Sequence, residues 1–374
     1  MPIKKKILWF NFKDIKHPEA GGAEIVTHEI GKKLVQEGHE VTLISPMFQG
    51  SEQSEIVDGI KIIRVGKSKL GHYPAAIKYY LQNLKNKFDI IIEEVNTIPY
   101  FINFFTGKEQ VFLYYNQLAR EIWFYQMRQP LSLIGYIIEP IYTWIQSIFN
   151  NKVITISESS KQDLMRFGFQ AKNIDLMTMF YQSKPLEKYA PESKEKTFTV
   201  LFNSSLRPMK RPIEVFKAFD ILAKKHDKVQ LWVSGGGDQT ELKEFAKTNN
   251  FLDKVTFFGF TPEEKKLQLM QSASVLCSTS LKEGWGLIVT EANTMATPAI
   301  VYDVDGLRDS ARAGDNWVVQ PNPEALAAEL ENLYAIFNED RVMYDQKCEE
   351  VLEKSYNNTI EQCYADFKGI VGLR

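Results

Sequence analysis

Ser280-Leu281-Lys282-Glu283-Gly284-Trp285-Gly286-Leu287-Ile288-Val289-Thr290-Glu291-Ala292 sets two carboxylates, Glu283 and Glu291, on either side of a Gly-Trp-Gly turn. The apolar run Ser274–Cys277 ahead of it reads as a strand, and a helix is expected to begin near Gly286–Leu287. Glu283 then lies in the loop, and Glu291 about one and a half turns inside the helix. The free N–H groups of a helix start attract phosphate. Acids flanking such a start can accept hydrogen bonds from the paired hydroxyls of a ribose or a hexose. A capped helix with an acid inside it also accounts for the two glutamates, but it leaves Gly-Trp-Gly beside Glu283 unexplained.

Outward from this stretch, apolar β-branched runs alternate with amphipathic helical runs. In the second half, strands are expected at Phe198–Phe202, Val229–Ser234, Val255–Phe258, Ser274–Cys277 and Ala299–Tyr302. Helices are expected at Pro212–Lys225, Thr240–Asn249 and Pro262–Gln271, from Pro323 onward, and through the tail Tyr344–Gly369. The first half repeats the pattern, with strands at Lys6–Phe10, Glu40–Ile44, Ile60–Val65, Ile90–Glu93, Val111–Tyr115 and Lys152–Ile156 and a helix at Ala23–Glu37. The polar stretch Lys184–Lys196 reads as a linker. A length of 374 residues suits two domains at roughly 100–200 residues each. The fold class is therefore α/β, with two doubly wound parallel sheets. Ligands of such sheets bind beyond the carboxyl ends of the strands, so the loops that follow strands carry the information.

Composition narrows the function. A formal charge of −2 does not indicate a nucleic-acid partner. Cys277, Cys348 and Cys363 are far apart, form no metal-ligand pattern, and fit a reducing, cytoplasmic setting. The basic start Lys4-Lys5-Lys6 precedes an apolar run that breaks at Asn11, which suits an opening strand better than a signal peptide. Leu131–Phe149 is apolar but holds Glu139, Pro140 and Gln146, so it is read as a mostly buried helical region rather than a membrane span, in preference also to an interfacial membrane contact.

Three more strand-following loops bear on binding. Pro18-Glu19-Ala20-Gly21-Gly22-Ala23-Glu24 places paired glycines before a helix, which suits either phosphate or a plain tight turn; it is not GxGxxG. Ser204-Ser205-Leu206-Arg207-Pro208-Met209-Lys210-Arg211-Pro212 sets three cations at a helix start. The helix dipole disfavours cations there unless an anion compensates them. Ser234-Gly235-Gly236-Gly237-Asp238 leaves room for a nucleotide or for a neighbouring backbone. None of the five histidines is paired at ligand spacing, and Trp123, Phe124 and Tyr125 suit core packing more than an acceptor site.

The Glu-(seven residues)-Glu pattern in KEGWGLIVTEA resembles the signature of the family-4 retaining glycosyltransferases. PEAGGAE, GHEVTLIS, NQLAREIWF, VITISESSKQDL and YDVDGLRDS agree with that family in order. The resemblance covers nearly the whole chain. It implies the GT-B fold, two Rossmann-like domains facing across a cleft, with residues 1–185 on the acceptor side and 196–350 on the nucleotide-sugar side. Residues 351–374 are then a helix crossing back to the first domain. The implied catalytic residues are Glu283, Lys210 and Asn116. The implied donor-binding set is Gly22, Ser205, Arg207, Lys210, Gly235, Phe260, Glu283, Gly286, Leu287, Ile288 and Glu291. Within it Glu283 would contact the donor hexose, Glu291 the ribose, Lys210 the leaving diphosphate, and Gly22 the same phosphates from the first domain.

The resemblance also implies transfer of a hexose from a nucleotide sugar, UDP-glucose before GDP-mannose, to a polysaccharide or lipid-linked glycan. Two positions depart from the family. Ser204-Ser205-Leu206 stands where Gly-Arg-Leu is usual, and Asn116 where His is frequent. These departures keep open a catalytically weak, donor-binding partner subunit. A dinucleotide oxidoreductase lacks its fingerprint; the remaining alternative is a GT-B phosphorylase or an epimerase, and a phosphorylase lacks its phosphate chemistry. Asp303-Val304-Asp305 has metal-motif spacing but lies in YDVDGLRDS, so no metal and no cofactor are expected. Basic residues around Arg64–Lys69, Lys78 and Lys85–Lys87 offer either a peripheral contact with an anionic membrane or a solvated face.

Overall fold

The computed structural model describes residues 4–66 and 71–373. The chain forms two compact units. One comprises the chain up to Phe180 together with the segment from Thr359 on, and the other is Tyr181–Asn358.

Unit 1 contains strands β1 (Lys6–Phe10), β2 (Glu40–Ser45), β3 (Ser54–Val57), β4 (Ile60–Arg64), β5 (Ile90–Val95), β6 (Gln110–Tyr115), β7 (Lys152–Thr155) and β8 (Ile174–Leu176). Its helices are α1 (Gly22–Gln36), α2 (His72–Tyr79), α3 (Trp123–Gln126), α4 (Leu131–Ser147) and α5 (Glu158–Arg166). The sheet order is β3-β4-β2-β1-β5-β6-β7-β8, parallel except for the β3–β4 pair. Ile7, Leu8, Trp9 and Phe10 are all buried, because helices cover both faces of β1. From β1 the chain moves to one side through β2 and β4, then returns to the other side at β5. The switch point therefore falls between β1 and β5.

Unit 2 contains β9 (Phe198–Asn203), β10 (Val229–Ser234), β11 (Val255–Gly259), β12 (Val275–Ser278), β13 (Ala299–Tyr302) and β14 (Trp317–Val319). Its helices are α6 (Pro212–Ala223), α7 (Thr240–Thr248), α8 (Glu263–Ser272), α9 (Leu287–Thr294), α10 (Leu307–Ala313), α11 (Pro323–Glu339) and α12 (Arg341–Ser355). The sheet is parallel throughout, in the order β11-β10-β9-β12-β13-β14, with its switch point between β9 and β12. Two apolar clusters fill its two faces, one around Phe216, Phe219 and Leu330 and the other around Leu276, Val289 and Leu307.

The terminal helix α13 (Ile360–Val371) belongs to unit 1. Phe367 stacks on Trp9 at 5.5 Å, and Lys33–Glu361 and Lys368–Glu37 pair at the rim. The tail read as one helix is thus two, α12 and α13, and α12 packs within unit 2.

Several expectations need correction. Lys184–Lys196 is no free linker. Tyr189 is buried with its hydroxyl on Asp345, and Lys194 is buried and donates to the carbonyl of Ala273 and to Thr297 Oγ1. Arg64 is not an exposed cation. It is buried against Asp14 at 2.7 Å and against Glu55, while Lys67 and Lys69 lie outside the described residues. Leu131–Phe149 is not mostly buried either. The buried side chains of α4 are Ser132, Glu139, Tyr142, Thr143 and Gln146, and its large apolar residues point outward. The sequence reading also missed β3, β8, β14, α2, α3, α5 and α10, which are three to nine residues long.

Phe367→Ala should remove a fully buried ring and cost ~3–5 kcal/mol in the unfolding of unit 1. Urea unfolding of the full chain measures it, and a loss below about 1 kcal/mol would mean that the Trp9–Phe367 stack does not hold α13.

Candidate functional site

In unit 2 the two loops that leave the switch point are bonded to each other. The loop after β9 runs through the short turn Pro208–Lys210 into α6, and the loop after β12 runs into α9. Leu281 N–H donates to the Met209 carbonyl at 2.8 Å, and Thr279 Oγ1 donates to the carbonyls of Lys210 and Arg211. Across this frame the Lys210 ammonium pairs with Glu283 Oε1, which also accepts from Ser280 Oγ at 2.7 Å. Both partners are mostly shielded, so each would be costly to leave alone. The loop cations, expected to await an anion, are thus partly compensated from within. Lys210 has Glu283, and Arg211 has Glu214 at 3.6 Å and lies over the Tyr302 ring.

Two glycines make these approaches sterically feasible. A Cβ on Gly235 would fall 1.8 Å from the Ser204 carbonyl oxygen, so the glycine run after β10 serves a neighbouring backbone directly. A Cβ on Gly306, at φ +77°, would fall 2.1 Å from the Glu283 carbonyl oxygen. Glu283 N–H donates to the Asp305 carbonyl at 3.0 Å, so the DVDG segment fixes the backbone of Glu283. Trp285 Nε1 donates to Thr290 Oγ1 at 2.9 Å and braces the turn onto α9, which explains the tryptophan between the glycines.

Gly286 immediately precedes α9, and Leu287 and Ile288 are its first two residues, with N–H groups at the helix start. Glu291 lies further along and pairs with Lys266 of α8 at 3.1 Å, while Glu263 holds the other side of that lysine at 2.8 Å. Burial raises the pKa of the Glu291 carboxyl, and Lys266 offsets part of the rise. Ser205 Oγ accepts from Arg207 Nε at 2.9 Å, which folds the arginine back over the position where the family pattern has its own arginine. Phe260 follows β11 and is 86% exposed, next to Gly259, whose carbonyl accepts from Gly235 N–H. Asp303 and Asp305 pair with Arg308, and Asp305 also with Lys282 at 3.4 Å. Those two carboxylates therefore serve to hold the loop.

Gly22 and Asn116 lie in unit 1. Gly22 opens α1, whose first turn is already partly occupied: Gly21 N–H donates to Glu24 Oε2 at 2.6 Å. Asn116 follows β6 and donates from Nδ2 to Glu94 Oε1 at 3.1 Å. Glu94, at the carboxyl end of β5, also accepts from Trp9 Nε1 at 3.1 Å and Thr27 Oγ1 at 2.7 Å. Burial pushes its pKa up to about 8, and burial likewise raises neighbouring Glu93 to about 7. Trp123 is buried and donates to Glu139, but Phe124 and Tyr125 are exposed, contrary to the expected core role.

Sequence reasoning missed Glu94, Lys266 and Asn203. Asn203 ends β9 with a buried Nδ2 that has no partner, a donor left over at the switch point. Glu93-Glu94 inside an apolar strand was the available signal for Glu94. Lys266 sits in an ordinary charged helix start and carries no such signal.

The arrangement offers a cation, a helix start and hydroxyl-accepting carboxylates around one switch point. Residues 183–348 match the family model "Glycosyl transferases group 1", and residues 20–177 match "Glycosyltransferase Family 4". The chain is 21% identical to an uncharacterized glycosyltransferase of Methanocaldococcus jannaschii over 93% of its own length and 94% of that protein. Its fold is similar to sucrose-phosphate synthase from Thermosynechococcus elongatus, with TM-score 0.75 and 17% identity over 99% of this chain and 98% of that one. It is also similar to HepE of Anabaena in complex with UDP-glucose, with TM-score 0.69 and 17% identity over 99% and 100%.

Because the Glu93 and Glu94 pKa values are raised above the ordinary 4.5, the folded state binds their protons more tightly than the unfolded chain does. Stability is therefore expected to fall as pH rises from about 5 to about 8. Glu94→Gln should flatten that slope in unfolding curves taken across the range, and an unchanged slope would refute a protonated Glu94.

Proposed function

Since the chain belongs to the family-4-type glycosyltransferases of GT-B fold, we propose that it transfers a hexose from a nucleotide sugar to a glycan or lipid-linked acceptor with retention at the anomeric carbon. The observation that carries this reading is the Lys210–Glu283 pair at the β9–β12 switch point, beside the start of α9. The donor diphosphate meets Lys210 and the N–H groups of Gly286, Leu287 and Ile288. Glu283 accepts from hexose hydroxyls and Glu291 from the ribose. Gly235 keeps the β10 loop close to Ser205, and Phe260 offers an exposed ring beside it. UDP-glucose is the first candidate donor, supported by the UDP-glucose complex of HepE, and GDP-mannose the second.

In the reaction, the bond from the anomeric carbon to the phosphate oxygen breaks, and its electron pair leaves with the diphosphate. An acceptor oxygen attacks from the same face, and its proton passes to the departing phosphate oxygen. Lys210 and the α9 N–H groups stabilise the growing negative charge, which is the role of preorganised donors in such steps. They do so without a metal. Asn116, held by Glu94, offers an amide to a sugar hydroxyl. Arg207 takes the place of the family arginine, supported by its position over Ser205. The three cysteines are buried free thiols, which suits work in the reducing cytoplasm.

Lys210→Ala is expected to lower kcat about 10²–10³-fold. Glu283→Ala and Glu291→Ala should weaken donor binding and turnover, and a chelator should change neither. A panel of nucleotide sugars, read by binding and by donor hydrolysis or transfer, makes the comparison. Wild-type behaviour of both glutamate variants would refute the site. Donor binding without any turnover would instead assign the chain as the donor-holding partner of another transferase, the reading that Ser205 and Asn116 favour.

A further inference from the structure

Helix α4 is amphipathic with its faces reversed relative to a helix on a protein core. Its exposed residues, from Leu131 through Ile134, Ile137, Ile138 and Ile141 to Trp144, are all large and apolar, as are Leu133 and the capping Ile148. Ile137 and Trp144 are each 56% exposed. The polar side chains face inward and are committed. Glu139 accepts from the N–H groups of Ala119 and Arg120 at 2.6 Å each, and Gln146 Nε2 donates to Glu93 at 3.0 Å. The helix cannot turn its apolar side inward without breaking these bonds and depriving the Ala119 and Arg120 N–H groups of their acceptor.

We propose that unit 1 seats on an anionic lipid bilayer through this outward face, with α4 lying in the plane of the interface. Three observations favour a bilayer over a second protein. First, a 17-residue helix is about 25 Å long, and no exposed position along it is polar, whereas protein interfaces carry a polar rim. Interfacial helices bury such a face among the acyl chains, and an exposed tryptophan suits the headgroup level.

Second, the apolar surface continues into a groove of about 1030 Å³, whose walls include Tyr73, Ile77, Leu81, Phe101, Phe104 and, from α4 itself, Ile145. Third, the surrounding charge is complementary to an anionic surface. Across residues 72–150 the exposed cations are Lys78, Lys85, Lys87, Lys108 and Arg128, against the exposed acids Asp89 and Glu121. Lys78 stands on the groove wall, and Arg128 lies just before α4. The loops bearing Lys85, Lys87 and Lys108 meet where Asn86 N–H donates to Glu109. Near them, Phe104 packs edge-on against Phe149 at 4.8 Å, beyond the end of α4. Among the described residues no helix is long and apolar enough to cross a membrane, so the contact is an in-plane one.

The test is vesicle flotation of the full chain with phosphatidylcholine vesicles and with vesicles that also contain phosphatidylglycerol. The protein should float with the anionic vesicles, at least tenfold less with the neutral ones, and less as salt rises. The double substitution Ile137→Glu/Ile141→Glu should lower the bound fraction at least tenfold while thermal unfolding and donor hydrolysis in solution stay as in wild type. Brominated lipid should quench wild-type tryptophan emission, and Trp144→Phe should remove most of that quenching. Failure of the wild type to float, or equal flotation of the double variant, would overturn the proposal. So would a lipid-free dimer, seen by light scattering, that the double substitution dissociates, since a second copy would then be the occupant. Donor hydrolysis is read without lipid, so failure here leaves the proposed reaction standing.

Discussion

A lysine and a glutamate that meet across a strand-order reversal hold the second unit's site in shape. Lys210 leaves β9 on one side and Glu283 leaves β12 on the other, and their ion pair ties together loops that the topology sends apart. The pair depends on backbone placement made elsewhere. Gly235 lets the β10 loop press on Ser204, and Gly306 lets the β13 loop press on Glu283. Adding a methyl group at either glycine would displace the Ser204 or the Glu283 carbonyl, in the loops that carry the pair. The geometry of the pair is thus a consequence of close backbone packing.

Much of this is legible in the sequence. The alternation of apolar strands with amphipathic helices gives both parallel sheets, since strands covered on both faces read as continuous apolar runs. The glycine-rich loop after β10 stands out because backbone contact at Gly235 tolerates no side chain. The acids of KEGWGLIVTEA stand out because they flank a helix start. Short elements escape for an equally physical reason. A three-residue strand such as β8 or β14 has too few positions to show a period.

The larger misreading concerns direction. The apolar stripe of α4 is plain in the sequence, and periodicity marks it correctly as one face of a helix. Periodicity cannot say whether that face meets the protein or the surroundings. The answer rests on what the other face binds, and Glu139 and Gln146 have partners far away in sequence, at residues 119–120 and 93. Arg64 misleads in the same way, because its partner Asp14 sits fifty residues earlier. Lys266 and Glu291 likewise find each other only in three dimensions. Polar side chains reveal their roles through partners, and partners are a property of the fold.

The stacking of Phe367 on Trp9 gives the molecule a particular order of assembly. Trp9 is made before unit 2, and α13 only after the whole of unit 2. In topological terms unit 2 is an insertion within unit 1, bounded at Phe180/Tyr181 and Asn358/Thr359. During synthesis, unit 2 has its full complement of strands and helices while Trp9 still lacks its covering ring. Unit 1 is therefore begun before unit 2 and completed after it, when Phe367 comes to cover Trp9.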